Sequence, residues 1–365
     1  METVKKLTVI YNGAIVGYLV EESERHIAFQ YDEQWIRDGF SISPYSLPIS
    51  SKIFRNERPT FGGLFGVFND SLPDGWGELL VKRMLAKNGV NYDRLSPLTK
   101  LALINGNGLG GLTYEPTLAE KSDNSSVDLD ELCVNVQKIF DDEAQARDLD
   151  AVYALGGSSG GARPKAHIKI GGEEWIVKFP CKTDPMNIGQ QEYRANAIAQ
   201  RCGINTNEFR LFPSKTCSGY FGAKRFDRIG NNRVHMISMS AMLETTHRIP
   251  NLDYMHLFQI VHDICANKNE VYEAYRRMCF NVLYGNRDDH GKNFSFIYDE
   301  SIKSYSLSPA YDLTKVTDKP EHEMTVLGNG KPNESDLLAI AAALKLSNKN
   351  CLDIIETVKS QVLKF

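Results

Sequence analysis

The first residues alternate between apolar and polar side chains. Residues 7–11 and 14–19 each follow a period of two, and Asn12-Gly13 between them supplies the positive φ angles of a tight turn. That pattern predicts a hairpin, so a β-rich module begins the chain. Residues 61–68 are aromatic and glycine-rich, and Asp70-Ser71-Leu72-Pro73-Asp74-Gly75-Trp76-Gly77 is marked as turn by its Pro and Gly before a helical pattern takes over from 78 to 85. An apolar run at 101–104 is then broken by Gly106, Gly108, Gly110 and Gly111. No Lys-Ser or Lys-Thr follows these glycines, which reads as a flexible turn and not a phosphate loop.

Residues 120–130 are polar and predict a boundary, followed by a helix over 130–139. The short apolar run 151–155 predicts a strand leading into Gly156-Gly157-Ser158-Ser159-Gly160-Gly161-Ala162-Arg163-Pro164-Lys165, with strands at 166–170 and 175–179 around a Gly-Gly turn. Strand, glycine loop, strand, turn, strand is the order of a loop that covers phosphates. An alanine-rich helix over 190–202 stops at Gly203, and strands follow at 209–212 and 219–226. Gly230-Asn231-Asn232 predicts a second boundary. Beyond 235 the pattern is mainly helical, at 252–265, 269–284, 335–346 and 350–363. The class is therefore α+β, in three parts: a β-rich subdomain over 1–118, a second β-rich part over 119–230, and a helical part over 231–365.

Composition narrows the functions open to the chain. At 365 residues with 42% hydrophobic side chains, it can build two or three cores. A net charge of −4 gives no basic field, which argues against direct nucleic-acid binding by this chain alone. The seven cysteines are scattered and never spaced as CxxC, which points to a reducing compartment and away from structural zinc. The N-terminus lacks an apolar signal core, and the longest apolar run, 337–344, is too short to cross a bilayer. A soluble cytoplasmic protein is expected.

Candidate chemistry concentrates in Tyr284-Gly285-Asn286-Arg287-Asp288-Asp289-His290-Gly291-Lys292-Asn293-Phe294-Ser295, a polar cluster between an apolar helix and an alternating strand. Asp288 and Asn293 have the separation of the base Asp and metal-binding Asn in the catalytic loop of protein kinases. Strands at 294–298 and 304–307 would form a hairpin and return Asp312, in Ser308-Pro309-Ala310-Tyr311-Asp312-Leu313, beside Asn293. Amide and carboxylate oxygens from Asn293 and Asp312 suit Mg²⁺. His290 stands where protein kinases carry a lysine facing the transferred phosphate; it takes that role or is a hydrogen-bonded turn histidine. Asp289 reads as a solvated or structural carboxylate.

A phosphate cradle also has candidates. Lys178 lies in the apolar strand Trp175-Ile176-Val177-Lys178-Phe179, where an ammonium calls for an anion. It pairs with nucleotide phosphates and Glu192, or it is an edge-strand lysine. Glu192, placed in the first turn of its helix, is also a routine dipole partner. The loop carrying Ser159, Gly160, Gly161 and Ala162 offers backbone N–H groups, with Arg163 and Lys165 alongside, as an anion nest, and it is not a Walker loop.

These motifs together resemble the HipA family, the serine/threonine kinase toxins of bacterial toxin–antitoxin modules. The resemblance is carried by the opening hairpin, Leu72-Pro73-Asp74-Gly75-Trp76-Gly77, the Ser158 to Lys165 loop, Trp175 to Pro180, Arg225-Phe226-Asp227-Arg228, Asp288 to Asn293 and Pro309 to Leu313. It implies a bilobed protein-kinase-like fold, with a β-rich N-lobe, a helical C-lobe and an added N-terminal subdomain. It implies ATP and Mg²⁺ as cofactors, with Asp288 as the catalytic base, Asn293 and Asp312 as metal ligands and Lys178 as the nucleotide-binding lysine. The segment from Lys224 to Phe226 becomes the hinge beside adenine, and Ser158 or Ser159 the site of a silencing autophosphorylation. The implied substrate is a translation component such as an aminoacyl-tRNA synthetase, and the implied partner a HipB-like DNA-binding antitoxin. A small-molecule or lipid kinase, or a catalytically silent nucleotide-binding regulator, would use the same core. A metal phosphohydrolase built on Asp288, Asp289 and His290 lacks further histidine ligands nearby.

Overall fold

The computed structural model describes every residue except 1–2, 24–25, 59, 105–107, 119–127, 142–143, 157–159, 247, 317 and 365. Internal contacts divide the chain into two units. One comprises Met1–Gln190, Phe209–Ile237 and Ala241–Thr245; the other comprises Gln191–Glu208, Ser238–Ser240 and Thr246–Phe365.

The two larger sheets of the first unit are antiparallel. Strands β1 (Lys6–Tyr11), β2 (Ala14–Ser23), β3 (His26–Tyr31), β4 (Phe54–Arg55) and β5 (Leu112–Glu115) form a five-stranded sheet in the order β4-β3-β2-β1-β5. The β1–β2 turn places Asn12 at φ 47° and Gly13 at φ 85°, the two left-handed residues that a twisted hairpin requires. Strands β6 (Lys165–Ile170), β7 (Glu173–Lys178), β8 (Phe209–Phe212) and β9 (Tyr220–Lys224) form the second sheet in the order β6-β7-β9-β8.

Residues 151–155 depart from expectation. They belong to the helix Ala146–Gly156, not to a strand. A short apolar run cannot by itself separate strand from buried helix. The deciding spacing extends upstream, since Leu149, Val152 and Leu155 recur every third residue and all three enter one core. That core joins Trp76 and Leu80 of helix Gly75–Lys87, Leu132, Val136 and Ile139 of helix Leu129–Phe140, and Ala166, Ile168, Trp175 and Val177 of the second sheet. Trp76, from the turn-rich motif of the N-terminal module, is thus packed beneath the strand that carries Lys178.

The second unit is mainly helical. Helices Tyr254–Ile264, Glu270–Tyr284, Glu334–Ala343 and Asn348–Val362 bury Leu257, Phe258, Tyr275, Met278, Phe280, Leu337, Ile340, Ile355 and Val358. Asp253, Asn333 and Ser347 cap three of the four at their N-termini through side-chain oxygens. The fourth, Glu270–Tyr284, ends at Gly285 with φ 82°, a left-handed residue that turns the chain out of the helix. An antiparallel hairpin of Ser295–Asp299 and Ser304–Leu307 follows, with Phe296 opposite Leu307. All seven cysteines are free, and no helix among the described residues is long and apolar enough to cross a membrane.

One buried histidine makes the first unit sensitive to acid. His235 is fully enclosed, donates from Nε2 to the Ile42 carbonyl at 2.9 Å, and is pushed down to about 4 by burial. An unfolded chain protonates this ring near pH 6.5, so stability present above that pH is lost as pH falls toward about 4. We expect this one group to remove about 3 kcal/mol across that window. His235→Gln, which keeps a donor for Ile42, should show a shallower loss of unfolding free energy between those pH values in urea titrations; an unchanged slope would exclude His235 as its source.

Candidate active site

The polar turn after helix Glu270–Tyr284 is built around one carboxylate. Asp289 has no solvent exposure. It accepts hydrogen bonds from the Tyr254 hydroxyl at 2.7 Å and the Glu323 backbone N–H at 2.9 Å, and His322 Nδ1 lies 2.9 Å from Oδ2. Asn281 donates in turn to the Tyr254 oxygen at 3.0 Å and accepts from Asn286 Nδ2 at 3.0 Å. Burial first, and then the Asp289 charge, push the Tyr254 phenol well above its ordinary value, so it stays a donor. Of the two readings left open for Asp289, the structural one holds.

This scaffold fixes the neighbours of Asp289. The side chain of Asp288 is 39% exposed, and its Oδ1 lies 2.5 Å from Lys319 Nζ. His290 precedes a tight helical turn, Gly291–Asn293. Gly291 is required there, because a Cβ would lie 2.6 Å from Leu252 and 2.7 Å from the Ser240 hydroxyl. Asn293 donates through Nδ2 to the Asp288 carbonyl at 2.8 Å, which leaves its amide oxygen as the group able to accept or ligate.

The hairpin returns the chain to this turn. Ser308 N–H donates to the Ser295 carbonyl at 2.8 Å, and Arg277 holds the Ser308 carbonyl at 2.7 Å. The Tyr311 hydroxyl donates to the Lys292 carbonyl at 2.6 Å and lies 2.6 Å from the Ser295 hydroxyl. The residues on either side of this anchor are the two expected metal ligands: Asn293 follows Lys292, and Asp312 follows Tyr311. Asp312 has φ 53°, a left-handed angle that Asp tolerates better than most side chains but at a cost of order 1 kcal/mol or more. Amide and carboxylate oxygens are the ligand types that suit a hard divalent cation such as Mg²⁺.

In the first unit, Lys165 and Lys178 stand directly opposite each other on β6 and β7. Opposed residues of an antiparallel pair share a face, so two cations are brought together, one of them only 9% exposed. Lys178 also lies with its ammonium 5.8 Å from the centre of the Phe221 ring. Gly161, at φ 81°, is the residue whose Cβ would come within 2.8 Å of Lys165 Nζ. Its N–H donates to Asp74, and its carbonyl accepts from Trp76 N–H at 3.0 Å. Gly160 adjoins the same Asp74 carboxylate, and Ala162 is exposed. Arg163 turns away from the nest to pair with Asp184 at 3.0 Å. Ser158 and Ser159 lie outside the described residues.

Lys224, at the end of β9, is paired with Glu173, and half-buried Phe226 sits between buried Arg225 and Asp227. Burial works against the charge of Asp227, yet contact with Arg225, helped by Arg228 and the Gly110 N–H, holds its carboxyl well below the usual range. Arg225 and Arg228 also donate to the Gly108 carbonyl at 2.9 and 2.6 Å. The glycines at 108 and 110 therefore cradle an ion pair with their backbones. Glu192 is 4% exposed and belongs to the second unit, whereas Lys178 belongs to the first. Its helix starts at Ile188, so Glu192 lies beyond the first turn, against the expected dipole position.

With this geometry in view, comparison with known proteins is informative. The HipA-like C-terminal domain matches residues 157–364 and the HipA N-terminal domain matches residues 7–115. The chain belongs to the HipA family. Two relatives from Sinorhizobium fredii (strain NBRC 101917 / NGR234) are named "Putative kinase Y4dM" and "Putative kinase Y4mE". The first is 28% identical over 214 residues, 53% of this chain and 51% of its own length, so the chain spans about half of it. The second is 26% identical over 355 residues, 87% of this chain and 79% of its own length. Among solved structures, the HipA, HipB and operator DNA complex of a Shewanella oneidensis MR-1 toxin–antitoxin system superimposes with a TM-score of 0.74 at 19% identity, covering 98% of this chain and 89% of that one. The α+β, kinase-like architecture is thus that of HipA.

Sequence reasoning missed Lys319 and His322. Both lie in an irregular Pro-containing segment about thirty residues from their partners, where no periodicity or motif marks them. We expect Asp289→Ala to cost about 3 kcal/mol, because it strands the buried Tyr254 hydroxyl and the Glu323 N–H. Chemical denaturation of the two proteins measures this; a loss below about 1 kcal/mol would remove Asp289 as the keystone of the turn.

Proposed function

We propose that the protein is an ATP- and Mg²⁺-dependent serine/threonine protein kinase, the toxin of a toxin–antitoxin module, which phosphorylates a component of translation such as an aminoacyl-tRNA synthetase. The observation that carries this reading is the Tyr311 anchor, which sets Asp312 and Asn293 on either side of one hydrogen bond, with Asp288 five residues before Asn293. A base, an amide oxygen and a second carboxylate are the groups that phosphoryl transfer asks of a protein on the acceptor and metal side. Asp288 would accept the proton of the acceptor hydroxyl. Asn293 Oδ1 and the Asp312 carboxylate would hold Mg²⁺, which when bound neutralises phosphate charge. Lys165 and Lys178 would offset the charge of nucleotide phosphates lying under the Gly160-Gly161 loop, whose Gly161 N–H is held by Asp74, and Lys224 to Phe226 would flank adenine.

Two further roles belong to the same proposal. Ser158 or Ser159 would receive a phosphoryl group in a silencing self-modification. The partner would be a HipB-like DNA-binding antitoxin, consistent with the company HipA keeps in the Shewanella complex and with a chain whose net charge of −4 provides no global basic field.

The 365-residue chain incubated with γ-labelled ATP and a host-cell extract tests the reading. Asp288→Asn should reduce label transfer at least 10³-fold while ATP still binds in calorimetry. Transfer at the wild-type rate by that variant would exclude Asp288 as the base, and label found on metabolites or lipids instead of protein would move the substrate class.

A further inference from the structure

The turn and the segment that follows Asp312 are joined at three successive residues. Arg287 Nη1 donates to the Lys319 carbonyl at 2.6 Å, Asp288 accepts from Lys319 Nζ at 2.5 Å, and Asp289 binds His322 and the Glu323 N–H. Lys319 is held from its other side as well, with Nζ 2.7 Å from Glu323 Oε1. Burial acts to lower its ammonium, but the hydrogen bonds to Asp288 and Glu323 outweigh it and keep the group charged. Its side chain is 34% exposed, so one face remains open to a ligand.

We infer that Lys319 is a catalytic residue: the cation that rests on Asp288 and, during transfer, carries charge on the moving phosphoryl group. This rests on the reading of Asp288 as the base. The position usually filled by a lysine two residues after the base is occupied here by His290, and among the described residues Lys319 is the ammonium shown on the Asp288 carboxylate.

The chemistry gives this cation two duties. Before transfer, an ionised Asp288 repels an incoming phosphate, and an ammonium on its carboxylate offsets that repulsion. During transfer, the acceptor oxygen forms its bond to the γ-phosphorus, the bond from phosphorus to the bridging oxygen breaks with its electron pair leaving on ADP, and the hydroxyl proton passes to Asp288. As Asp288 is neutralised it loses its hold on the ammonium, whose N–H is then available to a phosphoryl oxygen. Asp289 acts through Lys319 as a positioning residue, since its bonds to His322 and Glu323 fix the segment that presents the lysine.

Steady-state transfer from labelled ATP to the acceptor found in the extract, or to water in its absence, tests the inference. Lys319→Met and Lys319→Gln, the latter keeping a hydrogen-bond donor without charge, should each lower kcat about 10²-fold with KM for ATP changed less than about threefold. Lys319→Arg should retain about a tenth or more of kcat. Lys315→Met, in the same segment but with its ammonium 6.0 Å above the Tyr284 ring, serves as the control and should keep wild-type kcat. Wild-type kcat in folded Lys319→Gln overturns the inference, as does a loss in Lys319→Arg equal to that in Lys319→Met. If Asp288→Asn is inactive while the Lys319 variants are not, the inference alone fails; if Asp288→Asn is fully active, the reading of the site fails with it.

Discussion

A carboxylate without contact with water is the constraint on which the second unit's chemistry depends. A carboxyl group as dry as that of Asp289 is tolerable only because a phenol, an imidazole and a backbone N–H converge on it. Those donors come from the helix that starts at Tyr254 and from the segment 322–323, so satisfying one charge fixes three stretches of chain. Asp288, His290 and Lys319 inherit their positions from that bargain. The exposed carboxylate is placed by the buried one.

The first unit solves a comparable problem with a different device. Arg225 and Asp227 are buried as a bidentate pair, and the glycines at 108 and 110 bring bare backbone close enough to bind both partners. The N-terminal module is thereby tied to the chain just after β9. A second tie runs through Asp74 and Trp76, which hold Gly161 by its N–H and its carbonyl. The glycine loop is therefore shaped by the same short motif whose tryptophan fills the core beneath the second sheet.

Much of this was legible in the chain because the deciding information was local. Asn12-Gly13 and Gly171-Gly172 specify turns by their own φ preferences, and the glycines and Asn adopt positive φ where the hairpins need it. The five-residue step from Asp288 to Asn293 and the hairpin before Asp312 are likewise short-range patterns. What escaped was set by tertiary structure. Residues 151–155 are too few to show a period, and only Leu149 upstream reveals the helix. Lys319 and His322 acquire meaning from carboxylates about thirty residues away, through an irregular segment with no repeat to read. The alternatives for Asp289 could be separated only by burial, which an adjacent pair of acids does not declare.

The opposed lysines of β6 and β7 have a thermodynamic consequence. Two lysines opposed in register place two long cationic side chains on one face of the sheet. An anion bound on that face would link occupancy to folding of this sheet, each favouring the other by mass action.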